Sequence, residues 1–207
     1  MLRKLGMFVL VAWSMAGVAS AQVAMLTQVT GDVRVAGDDG SRNAVPFLKV
    51  NNGDTLTLAA NGRVQMVYLS SGRQEVWTGA GPVKVGTAQS TSSLTPQATQ
   101  VPALILRQLE KTPTVGQHGK TGMVMLRSVD DLGELDSLEK DYNDYRAKAP
   151  ADDTTPEVFY LTGLLDLGDT QTASKVLEGL KAKQASQPAY AAVVEHFSRL
   201  IAEATKK

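Results

Sequence analysis

The sequence predicts an α+β fold in which the two kinds of secondary structure occupy separate parts of the chain. Between residues 50 and 85, short runs rich in Val, Thr and Leu are separated by glycine turns spaced 9 or 10 residues apart, as in all-β domains. From residue 129 the apolar residues recur every three or four positions, which is typical of amphipathic helices. We therefore expect an N-terminal β-sandwich or β-solenoid, followed by a C-terminal module of four antiparallel helices.

Residues 1–21 have the pattern of a signal peptide. Arg3 and Lys4 precede an apolar run over residues 5–18, and the small residues Ala19 and Ala21 flank Ser20, as signal peptidase requires. Fourteen residues rise only about 21 Å as a helix, which is less than the thickness of a bilayer core, about 30 Å. We expect cleavage between Ala21 and Gln22, a periplasmic protein, and no integral membrane segment after cleavage.

The charge and cysteine content of the chain limit the kinds of molecule that it can bind and the way in which it is stabilised. The chain has 21 basic and 21 acidic residues, so cleavage, which removes Arg3 and Lys4, leaves a net charge of −2. Such a chain has no basic excess to neutralise phosphates, which argues against nucleic acid as a partner. There is no cysteine, so the exported protein must be stabilised by its core rather than by disulfides.

The predicted β-domain spans residues 22–86. Alternation is clear over residues 55–58, whereas residues 64–69 carry apolar side chains on both faces. The second pattern predicts a central strand covered on two sides. Trp77 is expected to fill the core, with ligand stacking as the alternative role. Both Tyr68 and Trp77 are candidates for a ligand surface, because sugars stack on exposed aromatic rings.

The glycine pattern carries a resemblance to a known family. The matching residues are Gly31-Asp32-Val33-x-Val35, Gly53-Asp54-x-Leu56-x-Leu58-x-x-Asn61-Gly62, and Val64-x-Met66-x-Tyr68-Leu69-x-x-Gly72. Over about residues 27–85 this pattern resembles the FecR-type periplasmic domain, with Ser71 where that family usually has Asp. FecR regulators also have a transmembrane helix and a cytoplasmic segment, and neither is seen here. The resemblance therefore implies a domain type and no transmembrane mechanism.

Four glycines are expected to form structural turns: Gly31, Gly53, Gly62 and Gly72. The last three follow Asn, Asn and Ser at positions where a tight turn favours positive φ. Asp54 is expected to cap a turn through its carboxylate.

Two segments lie between the predicted β-domain and the helices. Residues 87–101 are polar and uncharged, which predicts a flexible linker. Within residues 102–128, Pro102 begins a predicted short helix at residues 103–111. Residues 122–126 are apolar and compatible with an extra strand, and the sequence does not decide whether that strand pairs with the β-domain.

Residues 129–207 form the predicted helical domain. The first helix has an acidic outer face that includes Asp131, Glu134 and Asp141. Such a face is a solvated surface or a docking surface for a protein partner. Further along, Gly163 and Ala173 lie within a Leu-rich pattern that is similar to a degenerate TPR. This likeness implies that Gly163 allows close approach of the next helix.

The motifs of common active sites are missing from the sequence. The two histidines, His118 and His196, are 78 residues apart and lack the spacing of metal ligands. There is no cysteine nucleophile, phosphate-binding loop or nucleophile elbow. We therefore predict no catalytic, metal-binding or cofactor-binding residues, and a protein that is not an enzyme.

The leading expectation is a non-catalytic periplasmic protein for binding, sensing or scaffolding. Its β-domain would recognise an envelope component, a protein or a glycan, and its helices would dock a protein partner. The alternative is a structural protein associated with the cell wall or its glycan, which exposed Tyr68 or Trp77 would favour. A hydrolase, the third alternative, would require a cleft with His118 or His196 beside a carboxylate.

Overall fold

A computed structural model describes residues 22–38, 40–115 and 131–206. The strands are β1 (Gln22–Thr30), β2 (Val33–Gly37), β3 (Gly40–Asn43), β4 (Lys49–Asn51), β5 (Thr55–Leu58), β6 (Arg63–Tyr68), β7 (Arg73–Thr78), β8 (Gly81–Lys84), β9 (Thr91–Ser92) and β10 (Gln97–Gln100). The helices are α1 (Ala103–Lys111), α2 (Asp131–Arg146), α3 (Thr155–Asp166), α4 (Thr170–Lys183) and α5 (Tyr190–Ala204). The predicted α+β class, with strands before helices, is confirmed.

The strands form two antiparallel five-stranded sheets. The inner sheet has the order β10-β7-β6-β1-β4, and the outer sheet has the order β3-β2-β5-β8-β9. Alternate residues of both sheets meet in one core, which includes Leu26 and Met66 from the inner sheet and Leu56 and Val83 from the outer sheet. Of the two predicted alternatives, sandwich and solenoid, the structure has the sandwich.

The helices cover the other face of the inner sheet and form a third layer. Met25 and Val67 point away from the sandwich core and join a second cluster with helical residues such as Ile105, Leu161 and Phe197. Strand β6 thus separates two cores, with Met66 in one and Val67 in the other. The prediction of a strand covered on two sides is confirmed. The helices therefore share the second core with the inner sheet, and the first core lies between the two sheets.

Residues 87–101, predicted to be a linker, belong to the sandwich. Strand β9 pairs with β8 of the outer sheet, and β10 pairs with β7 of the inner sheet. The segment between them crosses from one sheet to the other. The prediction of a flexible linker over residues 87–101 is therefore wrong. Strands pair through backbone hydrogen bonds, and these bonds do not require the apolar side chains whose absence suggested a linker.

The predicted helices are found, and their local signals work as expected. Helix α1 has the predicted bounds. The carboxylate of Asp169 accepts a hydrogen bond of 2.9 Å from the Thr172 N–H and caps α4. Gly163 does not have the expected neighbour. The TPR comparison implied the following helix, whereas a Cβ at Gly163 would lie 2.6 Å from Cδ1 of Leu138 in the preceding one. It therefore allows close approach of the preceding helix α2, and not of α4 as the TPR comparison implied.

Three of the four predicted glycine turns have the expected backbone. Gly31, Gly53 and Gly72 have φ of 72°, 93° and 71°, which favours glycine. Gly62 is different, since a Cβ there would lie 3.0 Å from the carbonyl oxygens of Ala59 and of Asp32. Space, and not positive φ, requires glycine at this turn. The Asp54 carboxylate accepts a hydrogen bond of 2.8 Å from the Asn51 N–H, as the predicted cap does.

Some predicted features lie outside the described residues. These are the signal peptide, residues 122–126 and His118. Among the residues that the structure describes, no helix combines the length and apolar character needed to span a bilayer.

Candidate functional site

A buried polar joint connects the third layer to the inner sheet. At its centre is Asp153, which is 3% exposed and lies just before α3. Its Oδ1 accepts hydrogen bonds from Gln65 Nε2 at 2.7 Å and from the Thr155 N–H at 2.9 Å. Its Oδ2 accepts one from Gln74 Nε2 at 3.0 Å. The carboxylate thus caps the helix and holds it on two neighbouring strands, β6 and β7.

Arg146 extends the joint into α2. Its Nη1 donates to the Asp153 carbonyl at 2.5 Å and forms an ion pair of 3.1 Å with Glu157, which is 2% exposed. Burial raises the pKa of the Glu157 carboxyl, and the neighbouring guanidinium opposes that shift. Burial, followed by the Glu157 charge, also raises the pKa of Tyr142, whose hydroxyl donates to that carboxylate. These carboxylates are occupied by internal donors, so the joint positions helices and leaves little room for a substrate.

His196 is buried inside the third layer, on α5. Its ring stacks on Phe47 with centroids 4.4 Å apart, and neither ring nitrogen has a hydrogen bond of normal geometry to a described residue, since the contact with the Pro113 carbonyl falls short of it. Burial lowers the pKa of the imidazole to about 4, the positive charge of Arg199 acts in the same direction, and the Pro113 carbonyl opposes them. No carboxylate is paired with this ring among the described residues. The arrangement is that of a neutral core histidine and not of a catalytic base.

The structure confirms that Trp77 fills the core, and it corrects the candidate placement of Tyr68 and Trp77 on a ligand surface. Tyr68 is 0% and Trp77 is 1% exposed, and both point into the sandwich core. The Trp77 Nε1–H donates to Glu75 at 3.1 Å, and the Tyr68 hydroxyl bonds Ser90 Oγ at 2.6 Å. Burial raises the pKa of that phenol. A large aromatic ring with one satisfied polar group is a good core residue, and the sequence alone does not show which face of a strand is covered.

Glu75 explains how the crossover segment is held against the sandwich. Its carboxylate is 0% exposed and pairs with Arg73 at 2.6 Å. It also accepts the Ser90 N–H at 3.3 Å. Because every one of these partners is internal, Glu75 is a structural anchor for residues 86–92.

The predicted acidic face lies on α2, whose apolar side packs on the third layer through Leu135 and Leu138. Glu134 is exposed and Asp141 is half-buried. Asp131 is the first residue of the helix, and its side chain lies outside the described part. In the described residues no group of three potential ligands is close enough to hold a metal ion.

The outer sheet has a face that no described residue covers, and no sequence motif predicted it. Arg34, Thr57 and Lys84 point away from the sandwich core and are exposed, and Thr55 is half-buried. We call the part of this surface on the three central strands β2, β5 and β8 the free face; it is formed by their outward residues Arg34, Ala36, Thr55, Thr57, Pro82 and Lys84. The alternation of Thr and Leu over residues 55–58 predicts an outward polar row, but not that the row stays uncovered.

Comparisons of the chain with protein-family models, with curated proteins and with solved structures found no match.

Proposed function

We propose that the protein is an exported, non-catalytic binding, sensing or scaffold protein. Its sandwich recognises an envelope component, and its helices dock a protein partner. The observation that carries this proposal is the buried joint at Asp153, which holds the free face and the acidic face of α2 in one body. A fixed relation between two exposed surfaces suits a protein that brings two partners together.

The same proposal includes the FecR-like character of the sandwich. Two features support it: the positive φ at Gly31, Gly53 and Gly72, and the antiparallel strands that these turns separate. The TPR-like character of the helices is retained only as the hairpin of α3 and α4, which pack on each other. Gly163 does not support a closer likeness, because it contacts α2.

The alternative of a wall protein that stacks sugars on aromatic rings has less support. Tyr68 and Trp77, the two rings proposed for that role, are buried. A glycan would then be bound by the polar side chains of the free face. A hydrolase also has little support, since His196 is buried against Phe47 without a carboxylate partner in the described chain.

Site-specific photocrosslinking in intact envelopes tests the proposal. A photoreactive residue replaces Thr57 on the free face, Glu134 on α2, or Glu178 on the exposed side of α4 as the control. We expect discrete adducts from Thr57 and from Glu134, with different partners, and none above background from Glu178. The same adduct pattern at all three positions, or none at the first two, would overturn the proposal.

A further inference from the structure

We infer that the free face of the outer sheet binds an anionic polysaccharide. This inference rests on the proposed function, because it names the envelope component that the sandwich would recognise. The observation behind it is the pair of exposed cations Arg34 and Lys84, which have no ion-pair partner among the described residues and lie on a polar sheet face.

The register of the outer sheet sets the positions of the two cations. Arg34 lies opposite Thr57, and Lys84 lies opposite Thr55, on either side of the central strand β5. The cations are therefore two strands apart across the sheet and two residues apart along it. At about 4.8 Å between strands and about 3.3 Å per residue, their backbones are about 12 Å apart. An extended polymer that runs diagonally over the sheet can reach both.

The charge of the free face points to an anionic ligand. In the described chain neither Arg34 nor Lys84 forms an ion pair, whereas Arg63, Arg73 and Arg146 each pair with a carboxylate. None of the six outward residues that define the face is acidic. A bound carboxylate, sulfate or phosphate would accept hydrogen bonds from the two cationic side chains and would not be repelled by a negative charge among these six residues.

The remaining side chains favour a polysaccharide over other polyanions. The hydroxyl groups of Thr55 and Thr57 lie between the cations, and the side chains of Ala36 and Pro82 are too short to protrude from the face. Such a face can exchange hydrogen bonds with sugar hydroxyls along an extended chain. It has no large apolar side chain, of the kind that anchors protein partners. Two cations are also fewer than the six to ten phosphate contacts typical of proteins that bind duplex DNA tightly.

Binding of polygalacturonate, a carboxylated polysaccharide, to the purified protein tests the inference. We expect saturable binding by isothermal titration calorimetry, weakened by salt because the exposed charges are screened, and no binding of the neutral polysaccharide dextran. Arg34→Gln combined with Lys84→Gln should weaken binding at least tenfold. Arg107→Gln combined with Lys175→Gln changes the net charge equally at two other exposed positions and should bind like the unchanged protein.

Two further measurements make the outcome decisive. Arg34→Lys combined with Lys84→Arg keeps both charges and should retain binding, and thermal unfolding checks that all variants fold. Poly-glutamate, which has carboxylates but no sugar hydroxyls, should bind at least tenfold more weakly than polygalacturonate. Equal loss in both neutralised pairs, or equal binding of the two polymers, would overturn the inference. Specific envelope adducts from position 57 without polysaccharide binding would overturn it too, while the proposed function would stand.

Discussion

The side-chain amide of Gln65 donates a hydrogen bond of 2.7 Å to the carboxylate of Asp153, although the two residues are 88 positions apart in the chain. Gln65 belongs to the middle of the inner sheet, and Asp153 precedes α3. Hydrogen bonds to a buried carboxylate are among the stronger neutral-to-charged contacts in proteins. This contact therefore fixes where the helices lie on the sandwich.

Replacement of Asp153 by Ala should destabilise the whole protein. It leaves the amides of Gln65 and Gln74 buried without their acceptor, which costs about 2–4 kcal/mol in the free energy of unfolding. Urea denaturation followed by circular dichroism measures this loss. Asp152→Ala is the matched control, because the Asp152 side chain is 65% exposed and its ion pair with Arg63 contributes about 0–1 kcal/mol. Equal losses in the two variants would contradict the role of the joint.

A methyl group at Gly163 should destabilise the contact between α2 and α3. The added Cβ would lie 2.6 Å from Leu138, so Gly163→Ala should cost about 1–3 kcal/mol. Gly179→Ala in α4 is the control, because a Cβ there meets nothing within 4 Å, and it should stabilise the protein by about 0.5–1 kcal/mol. A double-mutant cycle with Leu138→Ala should show that the clash is relieved. Additive effects in that cycle would rule out the contact.

The stability of the protein should decrease in mild acid because of His196. Burial lowers the pKa of its imidazole from 6.5 to about 4 in the folded state. Between these values the unfolded chain binds more protons, so stability is complete above pH 6.5 and falls as the pH decreases toward 4. The loss from this group is about 2 kcal/mol at pH 5. It is measured as the difference in unfolding free energy between pH 7.5 and pH 5.

Two variants separate this effect from the titration of other groups. His196→Phe keeps a ring against Phe47 and should remove the loss, whereas His118→Gln should leave it unchanged. An unaltered pH dependence in His196→Phe would show that another group is responsible.

Trp77 should behave as a fully buried residue in solution. The chain has two tryptophans, Trp13 and Trp77, and a protein that begins at Gln22 contains Trp77 alone, so its fluorescence reports on this ring. We expect a blue-shifted emission that acrylamide quenches poorly in the native protein and strongly in urea. Trp77→Phe removes the donor to Glu75 and should cost about 1–3 kcal/mol. Strong quenching in the native state would contradict the burial of this ring.

Local patterns placed the helices well. Pro102 and the apolar residues behind it predicted α1, and the side chain of Asp169 caps the start of α4. These signals depend on side chains within one or two turns of each other. The polar strands β9 and β10 were not predicted, because their pairing depends on partner strands that are distant in the sequence and not on nearby residues.

The candidate surfaces could not be chosen from local patterns. Burial excluded Tyr68 and Trp77, and the free face was found only when the order of the strands was known. Along a strand, alternation shows that two faces differ, but it does not show which layer covers each face. That information depends on contacts between distant parts of the chain.

The sequence by itself determined the α+β class, the position of α1, the helical character of the C-terminal part and the two-sided character of β6, because periodicity is local. The tertiary structure alone decided that the helices form a third layer on the inner sheet. It also decided that the buried amides of Gln65 and Gln74 bond Asp153, and that no described residue covers Arg34 and Lys84. The two glutamines are buried and the two cations are exposed although all four residues are polar, because the packing of whole layers, and not the residue type alone, decides which side chains are buried.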